Sequence, residues 1–229
     1  MDALWCVVPA AGKGVRAGGD RPKQYQLLAG RPLIDHTLER LAAHPRIAGL
    51  VVAIAADDRH FAATDRIGGK PLIVATGGGE RSDSVLAGLC ALPPSVADDD
   101  FVLVHDAARP CVRADDIVRL IEWAGQGEGG LLGAPLRDTL KRADADCHSI
   151  ATEPRDGRWR AFTPQMFRRG ALAHALRLAA SDGIVVSDEA MAMERTGVTP
   201  RLVEGSEDNI KVTTPADFAL AEFLLGRTR

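Results

Sequence analysis

Two short stretches carry most of the chemistry that this sequence can offer. In PAAGKGVRAGGDRPKQYQ, residues 9–26, Gly12, Gly14, Gly18 and Gly19 are interleaved with Lys13, Arg16, Arg21 and Lys23 directly behind an apolar run. The backbone N–H groups of such a loop can surround an anion as large as a triphosphate while the cations neutralise it. In VLVHDAARPCV, residues 102–112, Asp106 follows a second apolar run. That puts it at the carboxyl edge of a sheet, where open α/β folds hold their ligands. A lone carboxylate there suits Mg2+, which takes one or two carboxylates and fills its other positions with water and substrate phosphates. Each stretch also has a plain structural reading. The first can be an ordinary solvated Gly-rich turn, and Asp106 can cap its turn or pair with Arg109. His105, beside an acid but in no ligand set, reads as a packing or supporting residue.

Gly12, Gly14 and Ala17 also fit G-x-G-x-x-A behind a strand, the dinucleotide fingerprint. Gly18, Gly19, Asp20 and Pro22 spoil the helix that should begin beneath the pyrophosphate. Asp57 and Asp58 fall beyond the ~20-residue spacing of the ribose-binding acid, and the G-K-[ST] of a phosphate-binding P-loop does not occur. A nicotinamide-dependent dehydrogenase is therefore a weak rival, which failure to bind NAD would dispose of. Two further stretches point to the same edge. GGGERSDSV, residues 77–85, is a Gly-rich turn entering a helix, with free N–H groups and the Ser84 hydroxyl to offer a base or phosphate. DNIKVTTP, residues 208–215, sets Lys211 in an apolar, β-like run just before a helix.

The elements that must position these residues alternate. LWCVV (4–8), LVVAIA (50–55), LIVAT (72–76), FVLVH (101–105) and GGLLGAP (129–135) read as buried strands. PLIDHTLERLAAH (32–44), ERSDSVLAGLCAL (80–92) and RADDIVRLIEWAG (113–125) read as the amphipathic helices between them. This order implies an α/β fold, a doubly wound and mostly parallel sheet, in a single domain spanning 1–229. From 136 to about 160 the chain turns polar and irregular and reads as an extended arm or hairpin. Helices are then expected over 165–180 and 187–197, the second with Ser187 at its N-cap and Asp188 and Glu189 in its first turn. A strand at RLVEG and a helix at TPADFALAEFLLG close the fold, and no further domain is expected behind them.

With 46% hydrophobic and 26% charged residues and a formal net charge of −3, the chain can bury a full core but has no field to draw it onto nucleic acid or an anionic membrane. Its four cysteines show no CxxC pair and no zinc spacing, as expected of reduced, mostly buried thiols in a cytoplasmic protein. The apolar N-terminus, with an acid behind Met1, is too short for a secretory or membrane-spanning segment.

PAAGKGVR…RPKQY, GGGERSDSVLAGL, VHDAARPC, RDTLKR, FTPQMF, SDEAMAME and DNIKVTTPADFALAE together resemble the 2-C-methyl-D-erythritol 4-phosphate cytidylyltransferases of the non-mevalonate isoprenoid pathway, in order, from residue 9 to about 225. The resemblance implies a Rossmann-like nucleotidyltransferase fold and a reaction of CTP with methylerythritol phosphate that uses Mg2+ and releases pyrophosphate. It implies that Arg16 and Lys23 hold the triphosphate and stabilise the pentacoordinate phosphorus, with Lys211 as the third catalytic cation. Ala10, Ala11, Gly12, Gly78 and Ser84 would receive cytosine and ribose, with Gly14 in the same loop, and Asp106 would bind Mg2+. Arg109, Thr139, Arg155 and Thr163 would form the polyol-phosphate pocket. The 136–160 arm would be exchanged between two subunits of a homodimer, with Arg155 reaching the partner's site. Ala17 stands where a methionine is common in the family, and Gly79 where an acid is often found.

The residue types suit that reaction. A phosphomonoester oxygen attacks the α-phosphorus in line, so catalysis is positioning and charge neutralisation, and no nucleophile triad is needed. Two alternatives remain at this point: a cytidylyltransferase for another polyol phosphate, such as ribitol 5-phosphate, and a nucleotide-sensing module that keeps the fold without the reaction. Intact Arg16, Lys23, Asp106 and Lys211 speak against the second.

Overall fold

Runs of apolar residues become strands here because helices cover both faces of the sheet they form. The computed structural model describes residues 4–12, 21–62 and 64–227. In chain order its elements are β1 (Leu4–Pro9), β2 (Leu27–Leu28), β3 (Arg31–Pro32), α1 (Leu33–Ala43), β4 (Ile47–Ile54), β5 (Arg66–Ile67), β6 (Lys70–Thr76), α2 (Arg81–Cys90) and β7 (Phe101–Val104). There follow α3 (Ala114–Ala124), β8 (Gly129–Pro135), β9 (Leu140–Ala143), β10 (Ser149–Glu153), β11 (Trp159–Arg168), α4 (Arg169–Ser181), α5 (Glu189–Glu194), β12 (Arg201–Glu204) and α6 (Pro215–Arg227).

Eight strands form one sheet in the order β12-β8-β11-β7-β1-β4-β6-β5. The pairs β1–β4, β1–β7, β4–β6 and β8–β12 are parallel, while β11 runs antiparallel between β7 and β8 and β5 closes the far edge antiparallel to β6. The period of two divides the core. Cys6, Val8, Leu50, Val52 and Leu103 face α1 and α3, which contribute Ile34, Leu38, Ile117 and Leu120. Val7, Val51, Val102 and Val104 face α2, α4 and α5, which contribute Val85, Leu89, Leu172, Leu176 and Met193. The sheet is thus doubly wound, as expected. A smaller cluster seats α6, through Leu224 and Leu225, on Leu28, Leu33 and Val212.

Several expectations are corrected. Residues 165–168, expected to open a helix, finish β11, the strand beside β7, and α4 starts only at Arg169. The ladder of β11 with β8 is interrupted between Ala161 and Gln165, so Pro164, which has no N–H to donate, sits where no ladder bond is required. Asp188, not Ser187, caps α5: its side chain accepts the N–H of Met191. Lys211 lies on a loop rather than in a β-run. Of the four thiols, Cys6 and Cys111 are buried but Cys90 and Cys147 are exposed. The polar excursion contains the two-stranded hairpin β9–β10, while Trp159 and Arg160 already pair with Pro135 and Ala134 of β8.

Among the described residues no helix is long and apolar enough to cross a membrane.

Candidate active site

The parallel strands β1, β6, β7, β8 and β12 all point their carboxyl ends to one edge of the sheet, and β11 enters from that edge. The loops behind β1, β6, β7 and β12 gather there most of the described residues singled out above, on both sides of the switch point where the order turns about β1.

The approach of two loops depends on glycine. A Cβ on Gly77 would lie 2.7 Å from both Ala11 Cβ and Ser84 Oγ, and one on Gly78 would lie 2.3 Å from Asp83 Cβ. Only glycine lets this turn close over the first turn of α2, where Glu80 and Asp83 form a capping box. A Cβ on Gly79 would meet nothing within 4 Å, so a larger side chain would have room there. Ser84 is buried, and its hydroxyl serves the turn, accepting the N–H of Gly78 and donating to the Glu80 carbonyl, each at 3.3 Å. Gln24 Nε2 donates to the Ala10 carbonyl at 2.8 Å, which fixes the short 3-10 turn carrying Lys23 against the end of β1.

Two clefts result. One, of about 270 Å³, brings together Ala10, Ala11, Gly12, Lys23, Gly78 and Ser84. The other, of about 210 Å³, is formed by Arg109, Phe162, Thr163, Gln165, Ser187 and Asp188. Arg81, Asp106 and Lys211 line both. A larger hollow of about 1070 Å³ between α1, α3 and α6 contains none of the expected site residues. Its Arg31 pairs with Glu39 and its Arg113 with Asp208.

At the shared wall, Asp106 Oδ1 accepts Arg81 Nε at 2.9 Å, while Oδ2 faces Lys211 Nζ at 3.0 Å and Arg109 Nε at 3.4 Å. Burial works against the charge of Asp106, yet Arg81, Lys211 and Arg109 together hold its carboxyl well below the usual carboxylate range. Arg81 also takes Glu189 through both Nη atoms, at 2.5 and 3.1 Å. Burial pushes the Glu189 carboxyl up while the fork opposes this. Both of its oxygens accept from Arg81, a paired geometry that favours the charged carboxylate.

Thr163 Oγ1 accepts the Asp106 N–H at 3.0 Å and lies 3.0 Å from His105 Nδ1. His105 Nε2 is 3.0 Å from the Arg109 carbonyl, so that nitrogen carries the proton and Nδ1 accepts the Thr163 hydroxyl. Burial pushes His105 down to about 4, and the imidazole is a neutral strut beneath the turn. Arg109 Nη1 donates to the Asn209 carbonyl at 2.7 Å, and Asn209 Nδ2 to the Thr163 carbonyl at 2.7 Å. Val212 N–H reaches the Ala108 carbonyl at 2.8 Å. The turn behind β7, the interruption in β11 and the loop carrying Lys211 are therefore one hydrogen-bonded unit.

Ala10, Ala11, Gly12, Lys23, Gly78, Ser84, Asp106, Arg109, Thr163 and Lys211 thus come together. Gly14 and Arg16 lie outside the described residues. Thr139 and Arg155 flank the arm hairpin, exposed, and line neither cleft within this chain. Sequence reasoning missed Arg81, Gln165 and the part played by Glu189. Arg81 had one signal, a cation in the first turn of a helix, against the macrodipole. Among the described residues no group of three or more His, Cys, Asp or Glu could hold a metal. Asp106, the carboxylate on the wall both clefts share, could serve only a cation that draws its remaining ligands from phosphates and water.

A family model for 2-C-methyl-D-erythritol 4-phosphate cytidylyltransferase matches residues 4–227. The chain is 54% identical over 225 residues to the enzyme of that name from Xylella fastidiosa (strain 9a5c), covering 98% of this chain and 97% of the other. It is 55% identical over 227 residues to the one from Xanthomonas oryzae pv. oryzae (strain PXO99A), covering 98% and 83%. Among solved structures it is similar to the Francisella tularensis enzyme of the same name, with a TM-score of 0.83 and 34% identity over 97% of this chain and 100% of the other. The Thermus thermophilus enzyme gives 0.79 and 30% over 98% of each.

Proposed function

The chain belongs to the 2-C-methyl-D-erythritol 4-phosphate cytidylyltransferase family, and from that premise we propose how its residues carry the family's reaction. The enzyme transfers CMP from CTP to 2-C-methyl-D-erythritol 4-phosphate in isoprenoid biosynthesis. The observation that carries the assignment of roles is the pair of clefts meeting at Asp106, Arg81 and Lys211. Two anionic substrates must meet in line at one phosphorus, and this is the wall that both clefts share.

The 270 Å³ cleft takes CTP. Ala10, Ala11, Gly12 and Gly78 let the backbone approach cytosine and ribose, and Ser84 holds the turn that shapes this floor. A pocket of this size selects a pyrimidine by shape. Gly14 belongs to the triphosphate loop, and Arg16, Lys23 and Lys211 neutralise charge that grows on the pentacoordinate phosphorus, as preorganised donors do in phosphoryl transfer. The other cleft takes the polyol phosphate through Arg109 and Thr163, with Arg155 and Thr139 supplied by the arm of a second subunit. The β9–β10 hairpin supports this: it forms a separate two-stranded sheet with mostly exposed side chains, and such hairpins are marginal alone in water. Residues 136–160 are then the contact of a homodimer, and 1–229 a single domain.

Asp106 would hold Mg2+, which when bound screens the phosphates. The chain's own contribution is to present the Asp106 carboxylate beside three cations, Arg81 on Oδ1 and Arg109 and Lys211 on Oδ2. We place the enzyme in the cytoplasm, where CTP and reduced thiols are found.

The test is pyrophosphate release with Mg2+ and CTP, comparing methylerythritol phosphate with ribitol 5-phosphate. Release with the first alone is expected. Release with ribitol 5-phosphate alone would overturn the acceptor, and silence with both would leave only a nucleotide-binding module.

A further inference from the structure

Lys23 is carried on a turn too short to hold its own direction. The Lys23–Tyr25 segment is three residues of 3-10 helix with no side-chain cap at its start, and in such a turn successive side chains leave about 120° apart. Lys23 lines the 270 Å³ cleft, Gln24 Nε2 donates to the Ala10 carbonyl at 2.8 Å, and the buried Tyr25 donates its hydroxyl to Asp58 Oδ2 at 2.7 Å. Turning the segment turns all three. Anchored through Gln24 alone it could pivot about that bond; the second anchor, Tyr25, fixes the angle.

The far end of the second anchor is itself held. Asp58 lies on the loop behind β4, with its N–H on the Ala55 carbonyl at 3.1 Å. Its Oδ1 accepts the N–H groups of His60 at 2.8 Å and Phe61 at 3.0 Å, while Oδ2 takes Tyr25. Burial works against the charge of Asp58, but these donors hold its carboxyl below the usual range, so the phenol meets a carboxylate and the bond is charge-assisted. The His60 and Tyr25 rings have centroids 5.3 Å apart, and Phe61 packs on the cluster that contains Ile34 and Leu38. Asp58, too far along the chain for a ribose-binding acid, has this partner instead.

We propose that Tyr25 and Asp58 are positioning residues for Lys23: their bond sets the angle at which the turn presents the Lys23 ammonium to the phosphates. Neither side chain lines a cleft, so both act through Lys23. The inference rests on the reading of Lys23 as a catalytic cation.

The experiment measures single-turnover rates at saturating CTP, Mg2+ and methylerythritol phosphate, with KM for the acceptor from steady-state pyrophosphate release. The proteins are wild type, Lys23→Ala, Tyr25→Phe, Asp58→Ala, and Lys23→Ala combined with each of the other two. Tyr25→Phe and Asp58→Ala are each expected to slow turnover about 10-fold, inside the roughly 10²-fold that a misplacement of 1 Å can cost. KM for methylerythritol phosphate, assigned to the other cleft, stays near wild type. Against Lys23→Ala neither change slows the enzyme further, because residues that act as one unit are not additive.

The same 10-fold loss on top of Lys23→Ala overturns the inference, since the pair then acts on something other than Lys23. So does a loss in only one of the two variants, or a rise in acceptor KM to match the fall in rate. Wild-type rates in Tyr25→Phe and Asp58→Ala, with Lys23→Ala slow, overturn it and spare the role of Lys23. Near-normal turnover in Lys23→Ala overturns that role and this inference with it. If circular dichroism shows Asp58→Ala unfolded, Tyr25→Phe, which loses only a hydroxyl, decides alone.

Discussion

The ammonium of Lys211 rests 3.0 Å from Oδ2 of Asp106, which ties the loop behind β12 to the turn behind β7. A cation stationed there can move onto phosphate oxygens with little reorganisation, and Lys23 stands across the same cleft. Lys211→Ala and Lys23→Ala are each expected to lower kcat on the order of 10² to 10³-fold, as loss of a preorganised charge donor does. Steady-state pyrophosphate release measures this. Near-normal turnover in either variant refutes its role.

Thr163→Val keeps the shape of the side chain but removes the acceptor of the Asp106 N–H and the donor to His105 Nδ1. Leaving a buried donor unpaired costs about 1–3 kcal/mol. The urea midpoint should fall accordingly, KM for methylerythritol phosphate should rise more than KM for CTP, and Thr163→Ser should restore both. Equal effects on the two KM values would show that Thr163 supports the fold alone.

Acid should weaken the fold through its buried imidazoles. Burial, with Lys70 and Arg46 nearby, lowers the pKa of His44, and burial lowers that of His105 to about 4. A histidine with a depressed folded pKa takes up its proton more readily in the unfolded chain. Stability therefore rises with pH, and is lost as pH falls below the unfolded value of about 6.5 toward the folded value. Urea midpoints between pH 7.5 and 5 should show this slope, and it should flatten in His44→Asn. An unchanged slope in that variant would clear His44 of the effect.

If Arg155 serves the neighbouring subunit, two dead enzymes should make a live one. Arg155→Ala and Asp106→Asn, each inactive alone, would form hybrids with one intact site when unfolded and refolded together. An equal mixture should recover about a quarter of wild-type activity, since half of the dimers are hybrids with one good site of two. No recovery, or sedimentation as a monomer, would place Arg155 in its own chain's chemistry or in none.

The strands around β1 were legible because burial on both faces leaves unbroken apolar runs, and Asp106 was legible because it ends one of them. β11 was not. Pro164 argues against a central strand, and only the pairing with β7 and β8 shows that the ladder is interrupted there. Lys211 could be placed near the site but not on Asp106. Glu189 was hidden by a local explanation that sufficed, an acid in the first turn of a helix. Its bond to Arg81 joins α5 to α2 and leaves no periodicity in the sequence. Pairings of that kind arise from how elements are stacked, which propensity does not encode.

Because β11 runs antiparallel to β8, the two are neighbours joined as a hairpin, with the arm as its overgrown turn. A hairpin's strands hold their register through their own ladder, whatever length of chain joins them. The segment between Pro135 and Trp159 is therefore free to be lengthened, shortened or exchanged as a module while the sheet beneath it stays the same. The fold keeps the cleft proposed for the nucleotide in its fixed part, and the arm proposed to reach another subunit lies in the part that can vary.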